Sequence, residues 1–347
     1  MVSNENIGVA LLSFAHPHQR PWSDVFATRP ETTLVGVWDA NHERGNIEAQ
    51  RLGVKFYADI DQIIAHDSVN AVSICSENVS HAALAIAAAQ AGKHILLQKP
   101  MAITVEEADR IVSSVKQTSS TFMQAYNLRF DAVHLEIKRL LDNNEIGKVH
   151  TVRRRHSHHF AIKKEDREGI LDWMTDPTLA GGGALMDEGA HALLWFLWMF
   201  GKPKSVTART GKSIVDLNVE DEVHIIFDLN NGVTGSLQTS WTEVAAGPTV
   251  EIYGDRGTIL ATGTDIASER SMAPGTHPLQ VFHIDSGEWS SPKVELPLSR
   301  ATLPPNAFID CLAHNSPSPV PVEMAAAAVM VAQATYDSAR AGKTIVL

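Results

Sequence analysis

Asp187 and His191 stand four residues apart, the spacing that puts two side chains on one face of a helix. A histidine titrates near neutrality, and beside a carboxylate it can take a proton from an alcohol. A helix-opening Asp followed by a partly buried His gives the same pattern. Lys99 follows an apolar stretch and precedes Pro100. At the carboxyl end of a buried strand its ammonium can bond a substrate hydroxyl and stabilise a developing alkoxide, although Lys-Pro alone is a common dipeptide. Asp39 follows a second apolar stretch, at the distance from the first strand expected of a ribose-binding acid. A carboxylate there accepts from ribose hydroxyls and repels a 2′-phosphate, which favours NAD over NADP. Arg44 nearby softens that preference, and a surface Asp opening a turn is the plain alternative.

The turn after the first strand reads Ser13-Phe14-Ala15-His16-Pro17-His18. A dinucleotide fold places G-x-G-x-x-G there, so that backbone approaches a pyrophosphate at a helix N-terminus. The glycines are missing. Ala15 is small, and His16, His18 or Arg20 supply donors; a capped turn with solvated imidazoles fits equally well. The histidines also support a rival reading. His16 and His18 have the spacing of a metal pair, and strand alternation puts His156 and His158 on one face, with His159 adjacent. Asp187 or Glu188 would complete the ligands of a metal-dependent hydrolase or lyase.

These residues need a scaffold, and the first third of the chain alternates strand and helix patterns. Strands are predicted over Ile7–Phe14, Thr33–Trp38, Val54–Tyr57, Asn70–Cys75, His94–Leu97 and Thr121–Gln124. Helices are predicted over 22–28, Asn41–Leu52, Ile60–Ala65, Asn78–Ala91 and from Thr104, with Glu107 completing a capping box. Strands separated by helices mean βαβ units and a parallel sheet, whose ligands sit beyond the carboxyl ends of its strands. After about residue 125 the rhythm changes. A helix over 131–142 and a strand over His150–His159 precede a polar loop, Lys163–Gly169, and a helix beginning near Asp187. Strand signals then dominate from Ser205 to Ile284 without intervening helices, which predicts a largely antiparallel sheet. Met324–Arg340 reads as an Ala-rich helix and Thr344–Leu347 as a short strand. The fold class is therefore α/β: a Rossmann-type doubly wound parallel sheet over 1–125, then an α+β domain with a large, mainly antiparallel open-faced sheet over 126–347.

Composition narrows the function. The 347 residues are 44% hydrophobic and 20% charged, so the chain is globular rather than disordered. A formal charge of −11 argues against nucleic-acid binding, which needs a basic face. The longest apolar run, Ala192–Phe200, is too short for a membrane helix, and no signal peptide is expected. Two cysteines, Cys75 and Cys311, fit a reduced, cytoplasmic compartment. Sixteen histidines are the one oddity.

Several ordered segments resemble the Gfo/Idh/MocA family of NAD(P)-dependent oxidoreductases. They are Ser76-Glu77-Asn78-Val79-Ser80-His81, the run Ala91-Gly92-Lys93-His94 through Lys99-Pro100, Tyr126-Asn127-Leu128-Arg129-Phe130, the run Gly181-Gly182-Gly183 through Asp187 to His191, and Tyr253-Gly254-Asp255-Arg256-Gly257. Together they span nearly the whole length. The resemblance implies hydride transfer between nicotinamide C4 and a hydroxyl or keto carbon of a sugar, cyclitol or related polyol. It implies a catalytic trio of Lys99, Asp187 and His191, with His191 as general base, Lys99 on the reacting oxygen and Asp187 orienting substrate. Phe14, Ala15, His16, His18, Asp39, Ser76, Asn78, His81, Gln98 and Lys99 would line NAD. Asn127, Arg129, His156, His158, Trp173 and Asp187 would line the substrate pocket, with the loops 163–173 and 263–278 shaping it. The second-domain sheet would make a homodimer or homotetramer. Three positions depart from the family pattern: the missing glycines, Gln98 in place of Glu, and Leu194 in place of Asp. A non-catalytic sugar or dinucleotide sensor on this scaffold would need lost catalytic residues or an added DNA-binding module, and neither appears.

Overall fold

The computed structural model describes residues 6–163, 169, 172–214, 216–245, 247–269, 271–295 and 299–347. Most of the polar loop expected over Lys163–Gly169 lies outside them. The chain divides into two units, Met1–Phe130 with Ser299–Val329, and Asp131–Leu298 with Met330–Leu347.

In the first unit six strands form one parallel sheet: β1 (Ile7–Leu12), β2 (Thr32–Trp38), β3 (Lys55–Tyr57), β4 (Ala71–Ile74), β5 (His94–Leu97) and β6 (Phe122–Gln124). Their order is β3-β2-β1-β4-β5-β6, the doubly wound arrangement that reverses between β1 and β4. Val9–Leu12 have no exposed surface, as the continuous apolar run requires. Register places Leu12 opposite Trp38 and Ile74, and Ile74 opposite Leu97. The four central strands therefore end at one level, and the residues that follow them meet.

The helices form where capping chemistry allows. Asn41 accepts from the Arg44 N–H to open His42–Leu52, and Gly53 closes it in the left-handed region at φ 66°. Thr104 accepts from the Glu107 N–H at 3.2 Å, while the Glu107 carboxylate accepts from the Ile103 N–H, one residue earlier than a standard capping box. The first helix begins at Gln19, three residues before the sequence pattern indicates. The segment 299–329, grouped by sequence with the second domain, packs in the first unit. It brings a helix over Leu303–Ala313 that the pattern does not reveal, because Pro304 and Pro305 read as breakers but sit in its first turn, where proline is tolerated. Trp22 Nε1 donates to the Ala301 carbonyl at 2.8 Å.

The second unit is built on nine strands: β7 (Val149–Ser157), β8 (Ser205–Gly211), β9 (Glu222–Asp228), β10 (Thr234–Ser240), β11 (Val250–Gly254), β12 (Gly257–Ala261), β13 (Leu279–His283), β14 (Glu288–Ser290) and β15 (Ile345–Val346). The order is β14-β13-β12-β11-β7-β10-β9-β8-β15. Pairing is antiparallel except between β7 and β10. Along β9, Val223, Ile225 and Phe227 are buried while the alternate residues are exposed, the pattern of a sheet with one covered face. Asp187 lies in a π-helical turn, Leu185–Gly189, that runs into the helix Ala190–Phe200.

Candidate active site

In the first unit the level strand ends assemble a polar cluster. Ser13 takes the first glycine position of the turn and adopts φ 70°, a left-handed conformation that glycine would reach without strain. Asp39, fully buried, accepts from the Phe14 N–H at 2.8 Å and the Asn41 N–H at 2.9 Å. Arg44 clamps the same carboxylate through Nε at 2.8 Å and Nη2 at 2.7 Å, and reaches Glu77 at 3.2 Å. The acid that sequence expects to meet ribose is thus already covered by a guanidinium.

Gln98 and Lys99 follow β5 and are almost wholly buried. The Gln98 side-chain amide lies 2.7 Å from His18 Nδ1 and 3.0 Å from His16 Nδ1, and its carbonyl accepts from the Lys99 N–H at 2.8 Å. Ser76 and Asn78 are buried after β4, Phe14 is buried, and Ala15 is half-buried. His81 departs from its expected place along the cofactor edge. It has no exposed surface, its Nδ1 meets the Pro100 carbonyl at 2.7 Å and its Nε2 the Ser76 carbonyl at 3.2 Å. Burial holds it neutral down to about 4. It ties the segment after β4 to the Lys99-Pro100 turn. Asn127 and Arg129 share a half-buried 3₁₀ turn at the end of this unit.

The second unit carries Asp187 and His191. His158 Nε2 meets the Asp187 carboxylate at 3.1 Å, and Trp241 Nε1 donates to the same oxygen at 2.9 Å. Because His158 Nδ1 accepts from the Phe160 N–H at 3.2 Å, the neutral ring carries its proton on Nε2 and donates to Asp187. The His158 ring lies nearly parallel to that of Trp241, 6° apart at 6.0 Å. Beside this, buried Arg154 donates to His156 Nδ1 at 3.2 Å, and His156 Nε2 lies 3.4 Å from Glu188. The His156 ring stands edge-on to His191 at 5.5 Å. His156 and His158 thus share a face with Arg154, as strand alternation predicts. Trp173 packs with Met174, Ala184 and Trp241 in a small apolar cluster.

Sequence reasoning does not reveal Trp241, Glu220 or Tyr336. Trp241 follows β10, and only the parallel pairing of Ser240 with Ser157 brings it to His158. One Glu220 carboxylate oxygen accepts from the Gly183 and Leu185 N–H groups at 3.0 and 3.1 Å and from Tyr336 Oη at 2.8 Å. Burial raises the Glu220 carboxyl above the usual range despite these bonds. The Gly181-Gly182-Gly183 signal had a physical basis: a Cβ on Gly182 would meet Tyr336 Oη at 2.0 Å, and one on Gly183 the Glu220 carbonyl at 2.0 Å.

His158, Asp187 and Glu188 place donor atoms within 4.8 Å of one another, a grouping able to hold a metal. The tautomer of His158, however, directs a proton rather than a lone pair at Asp187, so this cluster reads as a hydrogen-bonded network. A dinucleotide fits the first unit better: its sheet has the doubly wound order, Ser13 is left-handed and an acid follows β2, although a ribose would have to share Asp39 with Arg44. Among the described residues no helix is long and apolar enough to cross a membrane.

Comparison with known proteins agrees with this geometry. Residues 7–126 match an oxidoreductase family with an NAD-binding Rossmann fold, and residues 134–260 match a GFO/IDH/MocA C-terminal domain. The chain is 25% identical to myo-inositol 2-dehydrogenase of Thermotoga maritima over 67% of its length and 68% of the relative's. It is 28% identical to an NADP(+)-linked scyllo-inositol 2-dehydrogenase of Bacillus subtilis over 65% and 67%. A levoglucosan dehydrogenase solved with NADH and levoglucosan has the same fold, with a TM-score of 0.80 at 22% identity over 99% of both chains.

Proposed function

Since the chain belongs to the Gfo/Idh/MocA family of NAD-binding oxidoreductases, we propose that it oxidises or reduces a CH–OH carbon of a sugar, cyclitol or related polyol. The observation that carries this reading is Asp187, fixed by two N–H donors one helical turn before His191. The inositol substrates of two relatives support the polyol class. Nicotinamide supplies or accepts the hydride when the cofactor is bound. The chain's own residues manage the proton. His191 takes it from the substrate hydroxyl in oxidation, and Lys99 bonds the reacting oxygen as negative charge develops. Asp187, held by the His158 and Trp241 N–H groups, orients a substrate hydroxyl.

Phe14, Ala15, His16, His18, Asp39, Ser76, Asn78, Gln98 and Lys99 would lie along the cofactor. Asn127, Arg129, His156, His158 and Trp173 would shape the substrate pocket. NAD remains the preferred cofactor because Asp39 disfavours a 2′-phosphate, but the Arg44 clamp largely neutralises that charge and makes the preference narrow. Work in the cytoplasm suits two buried free thiols, and assembly into a dimer or tetramer would use the second sheet, which exposes Ile226. Titration with NADH and NADPH, then a panel of inositols, aldoses and anhydrosugars read by nicotinamide absorbance, tests the proposal. Binding of either nucleotide with turnover of a polyol is expected; failure to bind both overturns it.

A further inference from the structure

Two of the chain's departures from the family pattern touch each other. Register ends β1 and β5 at one level, which sets Gln98 against the turn that replaces the glycines. The Lys99 N–H is an obligate donor, so the end of Gln98 facing it is the carbonyl and the NH2 faces the imidazoles. That NH2 donates to His18 Nδ1 at 2.7 Å and lies over the His16 ring, 3.0 Å from Nδ1 and 3.5 Å from Nε2, while His16 Nδ1 accepts from the His18 N–H at 3.1 Å. Both Nδ1 atoms are therefore acceptors, and each neutral ring carries its proton on Nε2. The ring centroids lie 4.6 Å apart, and Gln98, 1% exposed, is held in place.

We propose that Gln98 fixes His16 and His18 as a pair of Nε2–H donors for the pyrophosphate of the bound dinucleotide, in place of the backbone approach that glycines permit. This rests on the cofactor reading above. It explains both substitutions at once. A glutamate at 98 has no N–H and would confront the His18 Nδ1 lone pair, forcing that ring to change tautomer or take up charge. Gln98 removes that conflict, in a turn that carries Cβ atoms at Ser13, Ala15 and His18.

Ring ¹⁵N–¹H correlation spectra of the full chain read the tautomers without any nucleotide. Both rings are expected in the Nε2–H form, and Gln98→Glu should bring a proton to Nδ1 of His18. Either ring in the Nδ1–H form in the wild type overturns the proposal. Calorimetry with ADP-ribose and with adenosine then reads the contact. His18→Phe keeps the ring shape and should lose about tenfold in ADP-ribose affinity, the value of one hydrogen bond to a charged group, with adenosine affinity unchanged. Unchanged ADP-ribose affinity, or equal loss for both ligands, overturns this inference and leaves the cofactor reading standing. A wild type that binds neither NADH, NADPH nor ADP-ribose overturns both.

Discussion

The strand ends of the first unit and the Asp187–His191 turn of the second both hold polar side chains in buried settings, by different means. Around β1 the support comes from residues that follow the strands of one parallel sheet: Gln98, Arg44 and His81 each brace the segment after a strand. Around Asp187 it comes from separate elements of the second unit: Trp241 holds the carboxylate, while Glu220 and Tyr336 hold the turn that presents it. The difference teaches where a family pattern is free to drift. Gln98 and the two histidines meet through side chains alone, whereas Gly182 and Gly183 lie where any Cβ would strike Tyr336 or Glu220.

Substitutions in the two regions should separate accordingly. The largest effect is expected at the acid–base groups themselves. His191→Ala and Lys99→Ala should each lower turnover by about 10²-fold or more with nucleotide affinity retained in His191→Ala; steady-state kinetics near wild type in both would break the assignment. Next, Trp241→Phe removes a donor on Asp187 and should reduce kcat by roughly 10- to 100-fold, the range expected for a bond to a charged group. If kcat is unchanged, the distant support is dispensable and the contrast between the regions fails.

Cofactor choice sharpens the contrast from the other side. Arg44→Ala uncovers Asp39 and should weaken NADPH relative to NADH by several-fold, leaving the reaction rate with saturating NADH unaltered. Equal losses for both nucleotides would show that Arg44 does not govern the choice. The smallest effect concerns His81. Its pKa is depressed by burial to about 4, so the stability it contributes is full above the ordinary histidine value near 6.5 and is lost as pH falls toward 4. Denaturation midpoints of the wild type should decline across that window, and His81→Gln should flatten the decline. Parallel curves for the two proteins would rule His81 out as the titrating brace.

Much of this was legible in the sequence. The apolar run at Ile7, the β-α alternation, and the capping residues Asn41 and Thr104 report local physics that one stretch of chain expresses alone. Asp187 and His191 were visible because helical spacing is local too. Trp241 was not, since its role depends on β7 and β10 pairing in parallel across a long separation in sequence. Glu220 was hidden for the same reason. The covering of Asp39 by Arg44 was half legible: the residues are five apart, but only the strand-end geometry turns a softening charge into a clamp.

The most direct test of the central claim is polyol-dependent reduction of NAD, followed at the nicotinamide absorbance band with wild type and His191→Ala side by side. The account predicts turnover of at least one inositol, aldose or anhydrosugar by the wild type, and its near-complete loss in His191→Ala at matched NADH affinity. A wild type that binds NADH yet turns over no polyol, or a His191→Ala protein as active as the wild type, would contradict it.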